Sequence, residues 1–204
     1  MKDKKNSKAK STIREYIEAF IIALILALII RAIIIQAYKI PSGSMKPTLL
    51  IGDHILVNKF IYGWNYPFTR EKIFTFKTPK REDIIVFACP VDKKKDFIKR
   101  VIGLPGEKIQ IKNKIIYIND KLYNNPHGDY RDAYIVESRD NLGPIVVPED
   151  SYFVLGDNRD KSYDSRFWGF VNIGYIKGKA FILYWSWDKE NFGIRWRRIG
   201  RLIH

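Results

Sequence analysis

"KIQIKNKIIYINDKLY", residues 108–123, decides the fold class. Apolar and polar residues alternate on both sides of an Asn-containing turn, which is the pattern of two half-buried strands joined as a hairpin. The same signature continues outward in both directions. "HILVNKFIYG" (54–63), "DIIVFACP" (83–90) and "DFIKRVIGL" (96–104) are short runs rich in β-branched and aromatic residues. "SYFVLGDN" (151–158), "KAFILYWSW" (179–187) and "IRWRRIGRL" (194–202) read as later strands. Residues 124–144 contain Asn-Pro, His-Gly and Leu-Gly-Pro steps, and read as loop or weakly structured insert. No internal repeat or low-complexity tract occurs, and no convincing helix follows the N-terminal segment. The expected body, residues 37–204, is therefore mainly β. It would consist of coiled antiparallel sheets or a partly open barrel, with a short hairpin/loop insert at about 108–150.

The first forty residues follow a different rule. Residues 1–14 carry six basic side chains and one acidic one, and the apolar run "AFIIALILALII", Arg31 and "AIIIQAY" come after them. Ile17 to Ile35 is 19 residues, roughly 28 Å as a helix and long enough to cross a bilayer core. Arg31 near the end of the run can snorkel to the headgroups. A cleaved secretory leader fits less well, because "QAYKIPS" is a poor cleavage site. The expected organisation is a basic cytoplasmic tail (1–16), a transmembrane helix (17–36) and an extracytoplasmic body.

Composition narrows the rest. Hydrophobic residues make up 46% of the 204, which excludes disorder throughout. Lys+Arg 36 against Asp+Glu 22 leaves +14, a balance suited to an anionic partner, either nucleic acid or a membrane surface. Cys89 is the single cysteine, so no intramolecular disulfide framework is possible. His54, His127 and His204 are scattered, and no His/Cys/Asp cluster has ligand spacing. "GLPGEK" lacks the ending of a phosphate-binding loop. Neither a metal nor a cofactor is expected.

Three stretches bear on chemistry. "IPSGSMKPTLL" (40–50) places two serines around a glycine soon after the apolar run. It reads either as a plain loop or as an exposed nucleophile on a strained turn. A serine nucleophile needs a base, and a Ser-His-Asp triad would have to draft one of the scattered histidines. A lysine serves instead if burial lowers its pKa. In "DFIKRVIGLPGE" strand alternation turns Lys99 away from Ile98 and Arg100, toward the side of Phe97 and Val101, where it would be desolvated. "GDNRDKSYDSRFWGFV" (156–171) is dense in charge. It is either a solvated loop or a set of ion pairs that fixes the walls of a site.

Together, "PSGSMKPTL", "GDHILVNKF", "RVIGLPGE" and "GDNRDKSYDSRFWGFV" resemble, in order, the conserved boxes of bacterial type I signal peptidases, the membrane-bound Ser-Lys proteases. With the anchor and the closing "RWRRIGRLIH", the resemblance covers most of the chain. It implies Ser44 as nucleophile, Lys99 as general base, and Ser42 with the Ser44 backbone N–H as the oxyanion hole. Ser162 falls on the lysine-orienting position, and Arg100, Asp157, Asp164 and Arg166 on charge-pairing positions. Tyr38, Ile40, Met45, Leu49, Phe97 and Ile98 fall on the lining of two shallow pockets for small side chains. The implied activity is removal of signal peptides after an Ala-X-Ala-like site. The enzyme would sit in the bacterial cytoplasmic membrane, with anionic phospholipid around it and the Sec/Tat export machinery upstream. Departures are few: His54 replaces a usual Tyr, Cys89 is unusual in its strand, and Lys46 occupies a variable position.

Other readings share parts of this pattern. A dedicated Ser-Lys peptidase maturing a conjugative pilin would keep the serine and lysine, but the full "GDNRDKSYDSR" box argues against it. Self-cleaving repressors use the dyad without an anchor. An inactive binder of secretory clients would not need Ser42, Ser44, Lys99 and Ser162 together. A nucleic-acid binder lacks any recognised signature, and its charges would lie on the wrong side of the membrane.

Overall fold

The computed structural model describes residues 3–65, 72–74 and 77–204. After the helix α1 (Asp3–Ile33), β1 (Ile35–Lys39) pairs with β2 (Asp53–Asn58), and the short β3 (Trp64–Asn65) pairs with β4 (Lys72–Phe74). The chain continues through β5 (Ile84–Ala88), β6 (Asp96–Gly103), β7 (Lys108–Lys112), β8 (Ile115–Ile118) and β9 (Lys121–Leu122). Then come β10 (Leu142–Val146), β11 (Ser151–Leu155), β12 (Val171–Asn172), β13 (Ile176–Asp188), β14 (Gly193–Ile194) and β15 (Arg201–Leu202).

The hairpin forms where the alternation places it. β7 and β8 pair from Ile109↔Ile118 to Lys112↔Ile115. The two turn residues, Asn113 and Lys114, have φ of 49° and 71°. Positive φ at both central positions gives the turn a twist that matches its strands. Ile109, Ile111, Ile116 and Ile118 are buried together with Phe153 and Leu155, and each such side chain contributes about 1.5–3 kcal/mol by leaving water.

The larger sheet runs β1-β2-β13-β5-β6-β11-β12, with β14 and β15 paired onto β13, and these strands pair antiparallel. The strand path does not close on itself. β13 spans 13 residues and shifts register against both β2 and β5. Such bulges bend a strand, so one strand serves two differently oriented partners and coils the sheet. A four-stranded sheet, β10-β7-β8-β9, lies beside it.

Two segments depart from the sequence reading. Within the expected loop at 124–144, α2 (Glu137–Asp140) forms and β10 begins at Leu142. The Gly-Pro step is a bulge inside a strand, with Gly143 at φ 80° and a register shift between Leu142 and Ile145. "IRWRRIGRL" is not one strand: a 3-10 turn, Trp196–Arg198, separates β14 from β15. Its arginines explain the break, because Arg195 and Arg198 turn inward to the carboxylates of Asp188 and Asp53.

Along α1 every described side chain, residues 13–28, is exposed. The side chains of the basic tail up to residue 12 and of 29–33, including Arg31, lie outside the described residues. Among the described residues no helix is long and apolar enough to cross a membrane.

Candidate active site

β6 lies between β5 and β11 near the middle of the large sheet, and strand alternation sends its adjacent cations, Lys99 and Arg100, to opposite faces. Lys99 meets the serine loop that joins β1 to β2. This loop is hooked into the body at both ends. Ile40 N donates to Asp53 O at 2.8 Å and Gly52 N to Ile40 O at 3.0 Å. Met45 and Leu49, one helical turn apart, are buried in the core. The loop therefore sits where apolar burial places it, and Ser44 sits beside a buried lysine: Lys99 Nζ donates to Ser44 Oγ at 2.6 Å.

Lys99 is only 4% exposed. Burial lowers its pKa from 10.5 to about 8, against the opposing pull of the Asp164 and Asp157 carboxylates. Neither carboxylate reaches ion-pair distance of it, and the Phe97 ring centre lies 5.6 Å from Nζ. A hydroxyl at hydrogen-bond distance from an amine that loses its proton near pH 8 has a base within reach.

The charge-dense 156–171 segment is largely buried. Asp157, Arg159, Asp164 and Arg166 are inside the protein; Asp157, Asp164 and Arg166 are ion-paired, while Arg159 donates to the Gly156 carbonyl and to Asn125 Oδ1. Arg100 holds Asp157 through Nε and Nη2, both at 2.8 Å. Arg166 holds Asp164 at 2.8 and 2.9 Å, and Asp164 also caps α3 (Ser165–Trp168) by accepting from Arg166 N. Asp164 further receives the Gly156 N–H at 3.0 Å, which ties the segment's first residue to its ninth. The four expected charge-pairing residues thus occur as two bidentate pairs.

Two residues that the sequence reading missed join this segment to the serine loop. Asn158 donates its side-chain amide to Gly43 O at 3.1 Å and its backbone N–H to Ser44 O at 3.1 Å. Gly156 packs against both Ser44 O and Ser162 Oγ, so closely that a Cβ would overlap each. The available signal was a Gly-Asp-Asn run ending a buried strand, where a missing side chain allows close backbone approach. Ser162 is buried beside this contact, and its hydroxyl has no hydrogen-bond partner among the described residues.

A cleft of about 700 Å³ opens over Ser42, Ser44 and Lys99. Phe97 and Ile98, from β6, line it. Ile40, Met45 and Leu49 are buried in the core cluster against which Ile98 and Tyr38 pack, so they form the layer behind that wall. Burial, then the nearby Asp96 carboxylate, raises the Tyr38 pKa and keeps its hydroxyl protonated. No histidine lines the cleft: His54 packs edge-on against Tyr184, and His127 lies 3.7 Å from Glu82. Among the described residues no group of His, Cys, Asp and Glu is placed to hold a metal ion.

Residues 13–185 match the family model described as "Signal peptidase, peptidase S26". The signal peptidase I of Buchnera aphidicola subsp. Schizaphis graminum is 36% identical, with 84% of this chain and 76% of that protein covered. That of Pseudomonas aeruginosa is also 36% identical, over 77% of this chain and 67% of that protein. The signal peptidase I of Rickettsia typhi is 35% identical over 91% of this chain and 87% of its own length.

Proposed function

The chain belongs to the signal peptidase family, peptidase S26, and within it we propose a membrane-anchored serine endopeptidase that removes signal peptides from exported preproteins with a Ser44–Lys99 dyad. One observation carries this reading: the 2.6 Å contact between Ser44 Oγ and a buried amine that burial pushes toward neutrality.

The chemistry follows from that contact. Ser44 Oγ attacks the scissile carbonyl carbon while the neutral Lys99 amine takes the hydroxyl proton. The oxygen that gains negative charge is met by the Ser44 N–H and the Ser42 hydroxyl, donors fixed on the same loop. Lys99 returns its proton to the departing amine, which leaves an ester on Ser44. A water deprotonated by Lys99 then attacks that ester, and Lys99 passes the proton to the departing Ser44 Oγ, which frees the acyl product and restores both groups. Ser162 orients the lysine, and the Arg100–Asp157 and Arg166–Asp164 pairs hold the walls.

Substrate choice follows from the cleft wall. Phe97 and Ile98, with Ile40, Met45 and Leu49 packed behind and Tyr38 alongside, leave room for alanine-sized side chains and obstruct larger ones. An Ala-X-Ala site presents two such residues on one side of an extended strand. Anchoring is supported by the apolar stretch 17–33 that ends the continuous helix Asp3–Ile33 and by the full exposure of its described side chains. The basic residues before that run favour a cytoplasmic N-terminus and an extracytoplasmic body. In that setting its partners are preprotein signal peptides delivered by the export machinery, and anionic phospholipid.

The decisive experiment incubates the detergent-solubilised full chain with a preprotein carrying an Ala-X-Ala site and sequences the product's N-terminus. Cleavage after the second alanine, abolished by Ser44→Ala, is expected. Cleavage elsewhere, or cleavage that survives Ser44→Ala, would sink the dyad.

A further inference from the structure

The cleft is lined by two unlike sets of side chains, apolar and charged. Its charged residues are Lys46, Lys95, Asp96, Lys99 and Lys161. Lys95 is paired with Asp92 at 2.9 Å and Asp96 with Lys177 at 2.7 Å, so these two charges are compensated. Lys99 is buried, and burial disfavours its ammonium form. Lys46 and Lys161 differ from all three. Neither has a carboxylate within ion-pair distance among the described residues, and Lys161 is exposed.

Both are rooted at the serine turn. The Lys46 stem lies over Gly43, with Cε 3.3 Å from where a Gly43 side chain would begin. Asn158 donates to Gly43 O and accepts from Lys161 N at 3.1 Å, so Lys161 stands one tight turn from the same glycine. Gly43 precedes the nucleophile. Two ammonium-bearing side chains without a carboxylate partner therefore line the same cleft as Ser44, together with the apolar Phe97 and Ile98.

From this arrangement, and resting on the proposed peptidase activity, we infer that Lys46 and Lys161 form an anion-binding subsite that selects substrates with a carboxylate side chain between the two alanines or at the first residue after the cleaved bond. An extended peptide alternates its side chains. Those at the two alanine positions face the apolar wall, and the residues between and just beyond them turn toward the lysines. A carboxylate there supplies the partner that both ammonium groups lack, whereas a substrate lysine meets like charge. The groups are open to solvent, so the effect is modest and sensitive to salt.

The test uses the full chain in detergent with one parent Ala-X-Ala peptide. Glu, Gln or Lys is placed in turn at X and at the first position after the cut. At low salt kcat/KM should fall in the order Glu, Gln, Lys at one or more of these positions, with a Glu-to-Lys ratio of about threefold to tenfold for two exposed charges. The ratio should collapse toward one in the Lys46→Gln/Lys161→Gln double variant and at about 0.5 M salt. Ratios within twofold of one at both positions, or a ratio untouched in the double variant, would overturn the subsite while leaving the peptidase intact. If the parent peptide is not cut at all, the peptidase reading falls and the subsite falls with it.

Discussion

Lys99 and Arg100 are neighbours on one strand and opposites in the way they are satisfied. Arg100 is fully buried, and its five N–H groups all find acceptors. Nε and one Nη2 hydrogen go to Asp157, the other Nη2 hydrogen points to Thr48 Oγ1 at 3.5 Å, and Nη1 reaches the Glu82 and His204 carbonyls at 2.9 Å. Thr48 completes the shell by donating to Asp157 at 2.5 Å. Lys99, almost as deeply buried, donates to Ser44 and has no carboxylate at ion-pair distance, while the Ser162 hydroxyl nearby stays unpartnered. A saturated cation stays charged and holds structure. An under-coordinated one is driven toward neutrality, and a neutral amine is a base.

The sharpest way to break this comparison is to delete each cation separately. Lys99→Met should lower kcat by about 10⁴ or more, as when a unit of nucleophile and base loses a member. The same change should leave the melting temperature unchanged or slightly raised, because an apolar side chain suits that site better than an under-coordinated cation. Arg100→Met should do the reverse to stability. It leaves Asp157 buried and unpaired, a loss of about 3–5 kcal/mol, or on the order of 10 °C in melting temperature for a chain of this size. Calorimetry and single-substrate kinetics on both variants decide the matter. If Lys99→Met is the one that unfolds, the lysine is structural. His54→Ala, on a side chain outside the cleft, should leave the rate within about threefold.

The pH profile sharpens the same contrast. Lys99 must be neutral to accept a proton, so kcat/KM should rise with pH and reach half its plateau near pH 8, where burial places its pKa. Stability should move in the same direction. The folded value lies below the unfolded 10.5, so between about pH 8 and 10.5 the unfolded chain binds a proton that the folded chain lacks. Stability therefore rises across that window, and below about pH 8 the penalty is constant. In Lys99→Met this part of the stability profile should flatten. A rate that climbs only above about pH 10, as for a solvated lysine, would contradict the buried-base assignment.

How much of this was legible depended on whether the signal was local. The β6 run "DFIKRVIGL" declares its own alternation, so the opposite facing of Lys99 and Arg100 could be read directly. So could the turn at Asn113–Lys114. "GDNRDKSYDSR" resisted, because charge density is the usual mark of a solvated loop. Its burial depends on long-range pairing, with Asp157 meeting an arginine 57 residues earlier in the chain. Asn158 and Gly156 were missed for the same reason: their partners are backbone atoms of the serine loop more than a hundred residues away, and composition gives no sign of them. The last arginines were read as strand, because nothing local shows that Arg195 and Arg198 turn inward to Asp188 and Asp53.

The smallest expected effect tests the weakest contact in the comparison. Ser162 Oγ is buried and idle, and it is pressed against the bare Cα of Gly156, which also touches the Ser44 carbonyl. A buried hydroxyl without a partner costs stability, so a purely structural Ser162 gains nothing from its oxygen. If the hydroxyl instead engages the Lys99 amine once a substrate excludes water, it fixes the amine's direction at the moment of proton transfer. Ser162→Ala should then lower kcat by about fivefold, the worth of one hydrogen bond near 1 kcal/mol, with KM little changed. Melting temperature should stay level or rise slightly, since the variant removes only an unsatisfied group. This split between kcat and stability distinguishes a positioning hydroxyl from a packing one. Should kcat stay at the parent value, Lys99 is oriented by packing alone, and the contrast with the five-fold satisfied Arg100 becomes sharper still.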